Sequence, residues 1–569
     1  MFFFLRSSIA TALLLSLQLL AFADDAKTPA VDPGLAAADQ LLEAGKFADA
    51  ETSYRALIKA DPNLIPAQAG LVRSLLREDK VDDALEAVTV ALKSFGELPD
   101  LLTARGDVQF RLAQITEAES SFSDAKALDR KEVHAYLGLA RVYRSQSLYR
   151  QAYEELRRAH EIAPNDLEVE RAWVNVLPRP ERLAALQAYL AGPHPDDEEQ
   201  TQGMTDSVGF LKQTAGQPAH SCRLVSKIER TDTVLFTVRN SGNTPSGIGI
   251  TTRLNDVAFN LQLDTGAGGI MVSHKVGERA KLTRISPAHY GGLGDKGPQA
   301  GYLALADRIN IGELAFQDCI VFVSDSNSVG REDGLIGADV FGSYLVDIDL
   351  PGMRLALSPL PKRPDDTPVP ASLNSGGESE LGHATKGEAG DLNPKDATPA
   401  ADTAPGSSSG NRSSQPQNLP KDRYVAPEMS RWTEIVRIGH DILVPTTVND
   451  SPSTLFLLDT GAFDNIVSVR AGQQAAKVKS SFGLKIAGLS GDVKKVYHAK
   501  VTLRFGHLQQ SNVDTVTLDL SKISRQAGTE ISGLLGFTML QMLDLKIDYR
   551  DGLVNLTFDP NKVQRLLKK

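Results

Sequence analysis

Two aspartates in this chain stand in the same five-residue sequence, and they are the side chains best suited to chemistry. The sequence Leu-Asp-Thr-Gly-Ala occurs at Leu263–Ala267 and again at Leu458–Ala462. Each copy is followed some seventy residues later by a Gly-apolar-apolar-Gly segment, Gly334–Gly337 and Gly533–Gly536. Each copy supplies one carboxylate, and two carboxylates held close together cannot both ionise easily. Such a pair can act as a general acid and a general base.

An apolar run that ends in Asp-Thr-Gly-Ala, paired with a distant apolar-apolar-Gly, resembles half of the active site of a retropepsin-like aspartic protease. The resemblance implies that Asp264 and Asp459 are the catalytic pair of an aspartic endopeptidase and hold one proton and one water. The ionised carboxylate takes a proton from the water as it attacks the peptide carbonyl, and the protonated carboxyl donates to the oxyanion. This mechanism needs no metal, no cofactor and no covalent intermediate, and the pair titrates as one unit.

The same resemblance gives supporting roles to the residues that follow each aspartate. Thr265 and Thr460 are expected to hydrogen-bond across the seam between the two units and hold the carboxylates coplanar. Gly266 and Gly461 are expected to let the backbone turn tightly where a side chain would collide.

Two further landmarks follow from the resemblance. Gly337 and Gly536 are expected to let a second strand pass close behind each aspartate loop. The family also closes a glycine-bearing flap over the bound peptide, which excludes water from the site. The candidate flaps are Tyr290–Gly294 and Gly488–Gly491, and ordinary surface turns are the alternative, because Gly-rich loops are common between strands.

The elements that position the aspartates are predicted to be β-strands, since short β-rich runs separated by Gly-rich turns surround both copies. Gly312 lies 48 residues after Asp264, and Gly506 lies 47 residues after Asp459. This repeated order of features indicates an internal duplication. The two predicted units are all-β retropepsin/pepsin-like lobes at residues 223–360 and 429–569.

The segment between the lobes has a different composition. Residues 361–423 contain no Phe, Tyr or Trp and are rich in Pro, Ser, Gly, Ala and Asp, so they cannot bury enough surface to order themselves. We predict a disordered linker at 361–428. A flexible tether of this length has a reach of roughly 45 Å and holds its two lobes at an effective concentration near millimolar. Pairing of the lobes within one chain is therefore preferred over a homodimer.

A helical repeat precedes the lobes. Alanines recur every 34 residues, at Ala50, Ala84, Ala118 and Ala152. Thirty-four is the tetratricopeptide (TPR) period, and the resemblance predicts an all-α TPR solenoid with a capping helix at 31–192, followed by a linker at 193–222. Such arrays bind peptides or proteins in their concave groove, so we expect a substrate or partner protein there. A spacer that holds the catalytic units apart is the alternative.

The N-terminus is typical of an exported protein. A mostly apolar stretch from Ile9 to Phe22 ends in Ala21-Phe22-Ala23, which predicts a signal peptide at 1–23 and a periplasmic or secreted chain. An uncleaved anchor is the alternative; after cleavage no segment is apolar enough to span a bilayer.

In an oxidising compartment Cys222 and Cys319 can pair, but the sequence equally allows two buried thiols.

Charge and motif searches exclude other classes. A net charge of -10 and a pI near 5.6 argue against a nucleic-acid partner. His194–Glu198 resembles the metal-binding segment of a family of zinc deacetylases, but it follows a helical run and has no second ligand set downstream, so we interpret it as an acidic linker.

The length of 569 residues predicts three or four domains. The combined interpretation is an exported aspartic endopeptidase with an N-terminal TPR array and two retropepsin-like lobes. The competing hypothesis is a non-catalytic scaffold in which the array recruits a partner and the lobes bind a peptide without cutting it.

Overall fold

The computed structural model describes residues 32–218, 220–291, 298–326, 329–364, 422–475, 479–480, 486–488, 491–493 and 497–567. The predicted signal peptide and most of the predicted linker 361–428 lie outside the described residues, as do Gly292–Gly294 of the first candidate flap and residues 489–490 of the second. No helix among the described residues is long and apolar enough to cross a membrane.

The N-terminal part is a row of antiparallel helix pairs. Its helices are α1 Pro33–Glu43, α2 Phe47–Ala60, α3 Ile65–Arg77, α4 Val81–Phe95, α5 Pro99–Arg111, α6 Ile115–Leu128, α7 Val133–Ser145, α8 Tyr149–Ile162, α9 Leu167–Trp173, α10 Arg179–Ala191 and α11 Glu198–Gln213, with a 3-10 turn at Val174–Val176.

The 34-residue period is visible in the backbone of this solenoid. A residue with positive φ stands two positions after the end of the first helix of each pair, and these residues are Gly45, Asp79, Ala113 and Ser147. The alanines of the period are buried in α2, α4, α6 and α8. A Cβ added to Gly138 would lie 2.4 Å from the Phe122 ring, so the glycine lets consecutive helices approach closely.

The prediction of a linker at 193–222 was wrong, because this segment contains α11. Asp197 begins the helix with a capping box in which its side chain accepts from the Gln200 backbone N–H at 2.8 Å. Met204, Val208 and Leu211 then pack against α10. The acidic residues of 194–198 therefore start a helix and do not form a flexible connection.

The first lobe, residues 223–359, is built from β-strands. They are β1 Arg223–Leu224, β2 Thr231–Arg239, β3 Pro245–Leu254, β4 Val257–Asp264, β5 Ile270–Ser273, β6 Thr283–Tyr290, β7 Gln299–Ile311, β8 Leu314–Ser324, β9 Gly334–Gly337, β10 Tyr344–Asp349 and β11 Arg354–Pro359, with helix α12 His274–Arg279 and a 3-10 turn at Ala338–Phe341. Cys222 and Cys319 form a disulfide beside β1 and β8, which answers the question that the sequence left open.

The second lobe repeats this plan after a 3-10 turn at Pro427–Met429. Its elements are β12 Thr433–Glu434, β13 Val436–Ile438, β14 Asp441–Val448, β15 Thr454–Leu458, β16 Ile466–Ser468, α13 Val469–Ala475, β17 Lys479–Ser480, β18 Ile486–Gly488, β19 Gly491–Val493, β20 Tyr497–Phe505, β21 Leu508–Leu518, α14 Ser521–Ala527, β22 Gly533–Leu535, α15 Phe537–Leu540, β23 Leu543–Asp548, β24 Leu553–Phe558 and α16 Pro560–Leu567.

The two lobes share one sheet at their seam. Its strands run in the order β12-β24-β23-β10-β11-β2, and β10 pairs antiparallel with β23 so that Val346 lies opposite Ile547. Lys562 of α16 contacts a carboxylate on each side of the seam, Asp349 at 2.8 Å and Asp544 at 2.7 Å. The lobes of this chain therefore pair with each other.

The array packs against the second lobe through helices α5, α6 and α7. Phe110, Phe122 and Val142 of the array share a hydrophobic cluster with Leu455 and Leu534 of the lobe.

Polar contacts border this cluster. The Thr529 hydroxyl donates to the Phe110 carbonyl at 2.7 Å, and Arg437 donates to the Tyr149 hydroxyl at 2.9 Å. The array and the second lobe thus share one core.

The helix α11 extends this packing to the first lobe. The Asp206 carboxylate accepts the backbone N–H of His289, on β6, at 2.7 Å and lies 3.0 Å from its ring Nδ1. Gln526 of α14 donates to Glu199 of α11 at 3.0 Å. The last helix of the array therefore contacts both lobes.

Both described ends of the predicted linker contact the second lobe, which the composition did not predict. Arg363 donates to Asp551 at 2.6 Å, and the Tyr424 backbone N–H donates to the same carboxylate oxygen at 2.9 Å. Asp422 accepts from the backbone N–H groups of Arg150 and Gln151 at the start of α8. The segment 365–421 therefore leaves and re-enters the described structure at the same buried aspartate.

Candidate active site

Each motif aspartate is delivered by a buried strand. Leu261 and Leu263 of β4 are fully buried, and Asp264 at the end of this strand is 7% exposed. The strand runs parallel to β9, which places Asp264 opposite Gly337. In the second lobe β15 runs parallel to β22 in the same way, and the Asp459 backbone N–H donates to the Leu535 carbonyl at 3.0 Å. The apolar run before each motif therefore carries its carboxylate into the interior.

The two threonines join the aspartate loops by reciprocal hydrogen bonds. The Thr265 hydroxyl donates to the Leu458 carbonyl at 2.7 Å and accepts the Thr460 backbone N–H at 2.9 Å. The Thr460 hydroxyl donates to the Leu263 carbonyl at 3.0 Å and accepts the Thr265 backbone N–H at 3.0 Å. Both threonines are buried, so these four bonds fix one loop against the other.

Gly266 and Gly461 lie against the carboxyl group of the opposite lobe. A Cβ at Gly266 would be 2.7 Å from Asp459 Cγ, and one at Gly461 would be 2.2 Å from Asp264 Oδ2. Neither glycine has a positive φ. A side chain at either position would collide with the aspartate of the opposite lobe. Glycine is therefore required because that carboxyl group lies so close to the backbone.

Gly337 and Gly536 occupy equivalent places behind the two loops. A Cβ at Gly337 would lie 2.3 Å from the Ala267 carbonyl oxygen, and one at Gly536 would lie 2.2 Å from the Asp464 carbonyl oxygen. Only glycine allows the second strand to pass this close.

The carboxyls of Asp264 and Asp459 hydrogen-bond to each other, and burial raises the pKa of both. For Asp264 the neighbouring Asp459 carboxylate adds to the effect of burial and brings the pKa to about 8. Asp459 Oδ1 accepts two backbone N–H groups, from Gly461 and Ala462, whereas Asp264 Oδ1 accepts that of Gly266. Because N–H donors stabilise the ionised form, Asp459 is the carboxylate and Asp264 carries the proton.

Two polar residues near Asp264 were not found from the sequence. Asp339, in the 3-10 turn after β9, accepts the Gly269 backbone N–H at 3.0 Å, and burial raises its pKa to about 6. The His440 ring belongs to the second lobe but lies against Gly268, where a Cβ would be 2.8 Å from Nδ1. No motif in the sequence assigns a role to His440. The contact arises from lobe pairing, which no local motif encodes.

The candidate flap of the first lobe lies at the end of the β6–β7 hairpin. Within the described residues, Tyr290 closes β6, and its ring packs edge-on against Phe322 with centroids 5.1 Å apart. In the second lobe Gly488 and Gly491 form the ends of the β18–β19 hairpin and lie opposite each other.

Both lobes are similar to known proteases. Residues 250–340 and 444–539 each match the aspartyl protease family, and each match contains one of the two motif aspartates. No curated protein matches the chain. Among solved structures, a thermophilic TPR protein from Thermus thermophilus is similar at 19% identity, covering 29% of this chain and 91% of that chain with a TM-score of 0.24. The solenoid is assigned from the helix pairs of the chain itself.

Proposed function

We propose that this chain, whose two lobes match the aspartyl protease family, is an exported aspartic endopeptidase that hydrolyses peptide bonds with Asp264 and Asp459. The observation that carries the proposal is the carboxyl pair, in which Asp264 is buried and Asp459 half-buried, held by the reciprocal threonine bonds and sharing a hydrogen bond at raised pKa. A fold that kept these lobes only for structure would have no need to bury two acids against each other, because the desolvation of a charge is unfavourable.

In the proposed mechanism the two carboxyls divide the work. Asp459, ionised, takes a proton from a water whose oxygen attacks the scissile carbonyl carbon, while Asp264 gives its proton to the carbonyl oxygen. The resulting diol collapses as the nitrogen takes a proton from Asp459, the C–N bond breaks, and a diol hydroxyl returns its proton to Asp264. Each proton is returned, so the pair ends in its starting state.

The test is cleavage of a quenched-fluorescence peptide library by the mature protein from pH 3 to 8. We expect cleavage by wild type and its loss in both Asp264→Asn and Asp459→Asn. Asp450→Asn is the matched control, because Asp450 is fully exposed in a turn of the same lobe. If wild type cuts no peptide, the endopeptidase proposal fails and the scaffold hypothesis replaces it.

We propose in addition that the array recruits a substrate or partner protein and that the chain is periplasmic or secreted. The array is joined to the second lobe by a shared core, and α11 contacts the hairpin of the first candidate flap, so a bound protein would lie beside the cleft. A disulfide is typical of exported proteins and supports export. Fractionation of cells that produce the full chain tests the location, and affinity capture with the active-site variant Asp264→Asn tests the recruitment.

A further inference from the structure

An imidazole of the second lobe lies beside the aspartate loop of the first lobe. His440 lies in the turn between β13 and β14 of the second lobe and contacts Gly268, two residues beyond the Gly266 that touches Asp459. The position that follows Asp-Thr-Gly-Ala in the second lobe is Phe463, which is 44% exposed. The two halves of the site therefore differ at this position.

The charged groups around His440 come from both lobes. In the second lobe, Asp441 Oδ1 at the start of β14 lies 3.4 Å from the His440 Nε2, and Arg437 belongs to β13, which precedes the turn. From the first lobe, Asp339 accepts the backbone N–H of Gly269, the neighbour of Gly268, at 3.0 Å. A positive charge on His440 lowers the pKa of Asp339 and of Asp264 at the end of β4. The ring is therefore electrostatically linked to the proton that the pair shares.

We propose that His440 is a positioning residue that, as a cation, keeps one carboxyl of the aspartate pair ionised at low pH and so sets the acid limit of catalysis. This inference rests on the proposed function. The pair works with a single proton, so activity is lost on the acid side when a second proton binds. A neighbouring cation opposes that second proton and moves the acid limit to lower pH.

The alkaline limit should not depend on His440. Activity is lost there when the pair gives up its shared proton, in a range where an imidazole is neutral, because imidazoles ordinarily titrate near pH ~6.5. Replacing His440 should therefore shift the acid limb of the pH profile and leave the alkaline limb unchanged. A purely structural role would lower activity at every pH.

The experiment measures kcat/KM of the full chain from pH 3 to about 9, so that both limbs are covered, for wild type, His440→Gln and His440→Lys. We expect His440→Gln to move the acid limb up by about one pH unit, the effect of one nearby charge at a partly solvated site, with the alkaline limb unchanged. His440→Lys keeps a cation at all these pH values, so we expect its acid limb to stay near that of wild type and its alkaline limb to move down.

The matched control is His498→Gln, in the same lobe and with similar side-chain exposure, 33% against 30% for His440. Its pH profile should superimpose on that of wild type. An unshifted acid limb in His440→Gln, or equal loss at every pH, overturns the proposal.

A second measurement is independent of catalysis. Thermal unfolding of His440→Gln, Asp459→Asn and the double variant gives the coupling between His440 and the ionised carboxyl, which we expect at pH 4, where the imidazole is charged, and not at pH 8. If wild type proves inactive, the proposed function fails while this coupling still tests the electrostatic link. Absence of coupling at pH 4 would overturn the link itself.

Discussion

At the scale of single residues, the buried carboxyl of Asp264 ties the stability of the fold to pH. Its pKa is raised to about 8, so between pH about 4 and 8 the folded chain holds a proton that the unfolded chain has lost. The folded state binds more protons than the unfolded state, and the free energy of unfolding therefore falls as pH rises through this window.

Asp264→Asn should remove this dependence. We expect the variant to be more stable than wild type at pH 8, by an order of about 2–4 kcal/mol, and nearly equal to it at pH 4, because an uncharged amide avoids the desolvation of a carboxylate. Urea unfolding of both proteins at the two pH values measures the difference. A variant that is less stable than wild type at pH 8 would contradict the assignment of the proton to Asp264.

The threonine pair permits a second prediction at this scale. Thr460→Val removes the hydroxyl that bonds Thr265 and Leu263 and leaves a buried N–H without an acceptor. We expect a loss of about 1–3 kcal/mol of stability and of most peptidase activity. Thr460→Ser keeps the hydroxyl and is the control; equal losses in both variants would mean that the methyl group matters and the hydrogen bonds do not.

At the scale of elements, the repeat depends on glycines where an aromatic ring crosses a helix. Gly138→Ala would place a Cβ 2.4 Å from the Phe122 ring, so we expect a destabilisation of about 1–3 kcal/mol by chemical denaturation. Gly209→Ala in α11 is the control, since nothing lies within 4 Å of its Cβ and alanine favours helix by about 1 kcal/mol. If the two variants changed the free energy of unfolding equally, α6 and α7 could move apart around the added methyl group without loss of stability.

The contact between α11 and β6 should control how well the hairpin of the first candidate flap is held. Asp206→Ala removes the acceptor of the His289 backbone N–H, and we expect faster hydrogen exchange in residues 283–290 with little change in the midpoint of global unfolding. Asp232→Ala, an exposed aspartate on β2, is the comparison. Unchanged exchange in β6 would show that the hairpin is held by other contacts.

The elements also show where sequence reasoning succeeds. Asp264, Thr265 and Gly266 are contiguous, so their roles follow from a local motif. The helix α11 was missed because two prolines and an acidic run suggested a linker, although Met204, Val208 and Leu211 follow the i, i+4, i+7 pattern of a buried helix face. The position of His440 was not predictable, because it depends on how two lobes dock across a seam.

At the scale of the whole molecule, both aspartates of the candidate active site come from one chain. The shared sheet at β10 and β23, together with the threonine bonds, joins lobes that are separate in sequence. We expect a mixture of Asp264→Asn and Asp459→Asn chains to stay inactive at all concentrations, because each chain pairs its own two lobes. Recovery of activity on mixing would show that lobes pair between chains, and sedimentation of wild type checks for the monomer.

Both described ends of the linker contact Asp551, and this contact affects how much the connection between the lobes can vary in length. Arg363 and Tyr424 stand on either side of residues 365–421 and both contact Asp551, so the two lobes need no long connection to reach each other. For any flexible connection, each doubling of its length changes the entropy of loop closure by only about 0.6 kcal/mol. The connection is therefore a natural place for evolution to insert or delete sequence, and for an engineer to introduce a cargo domain or new chain termini while the two-lobed body stays the same.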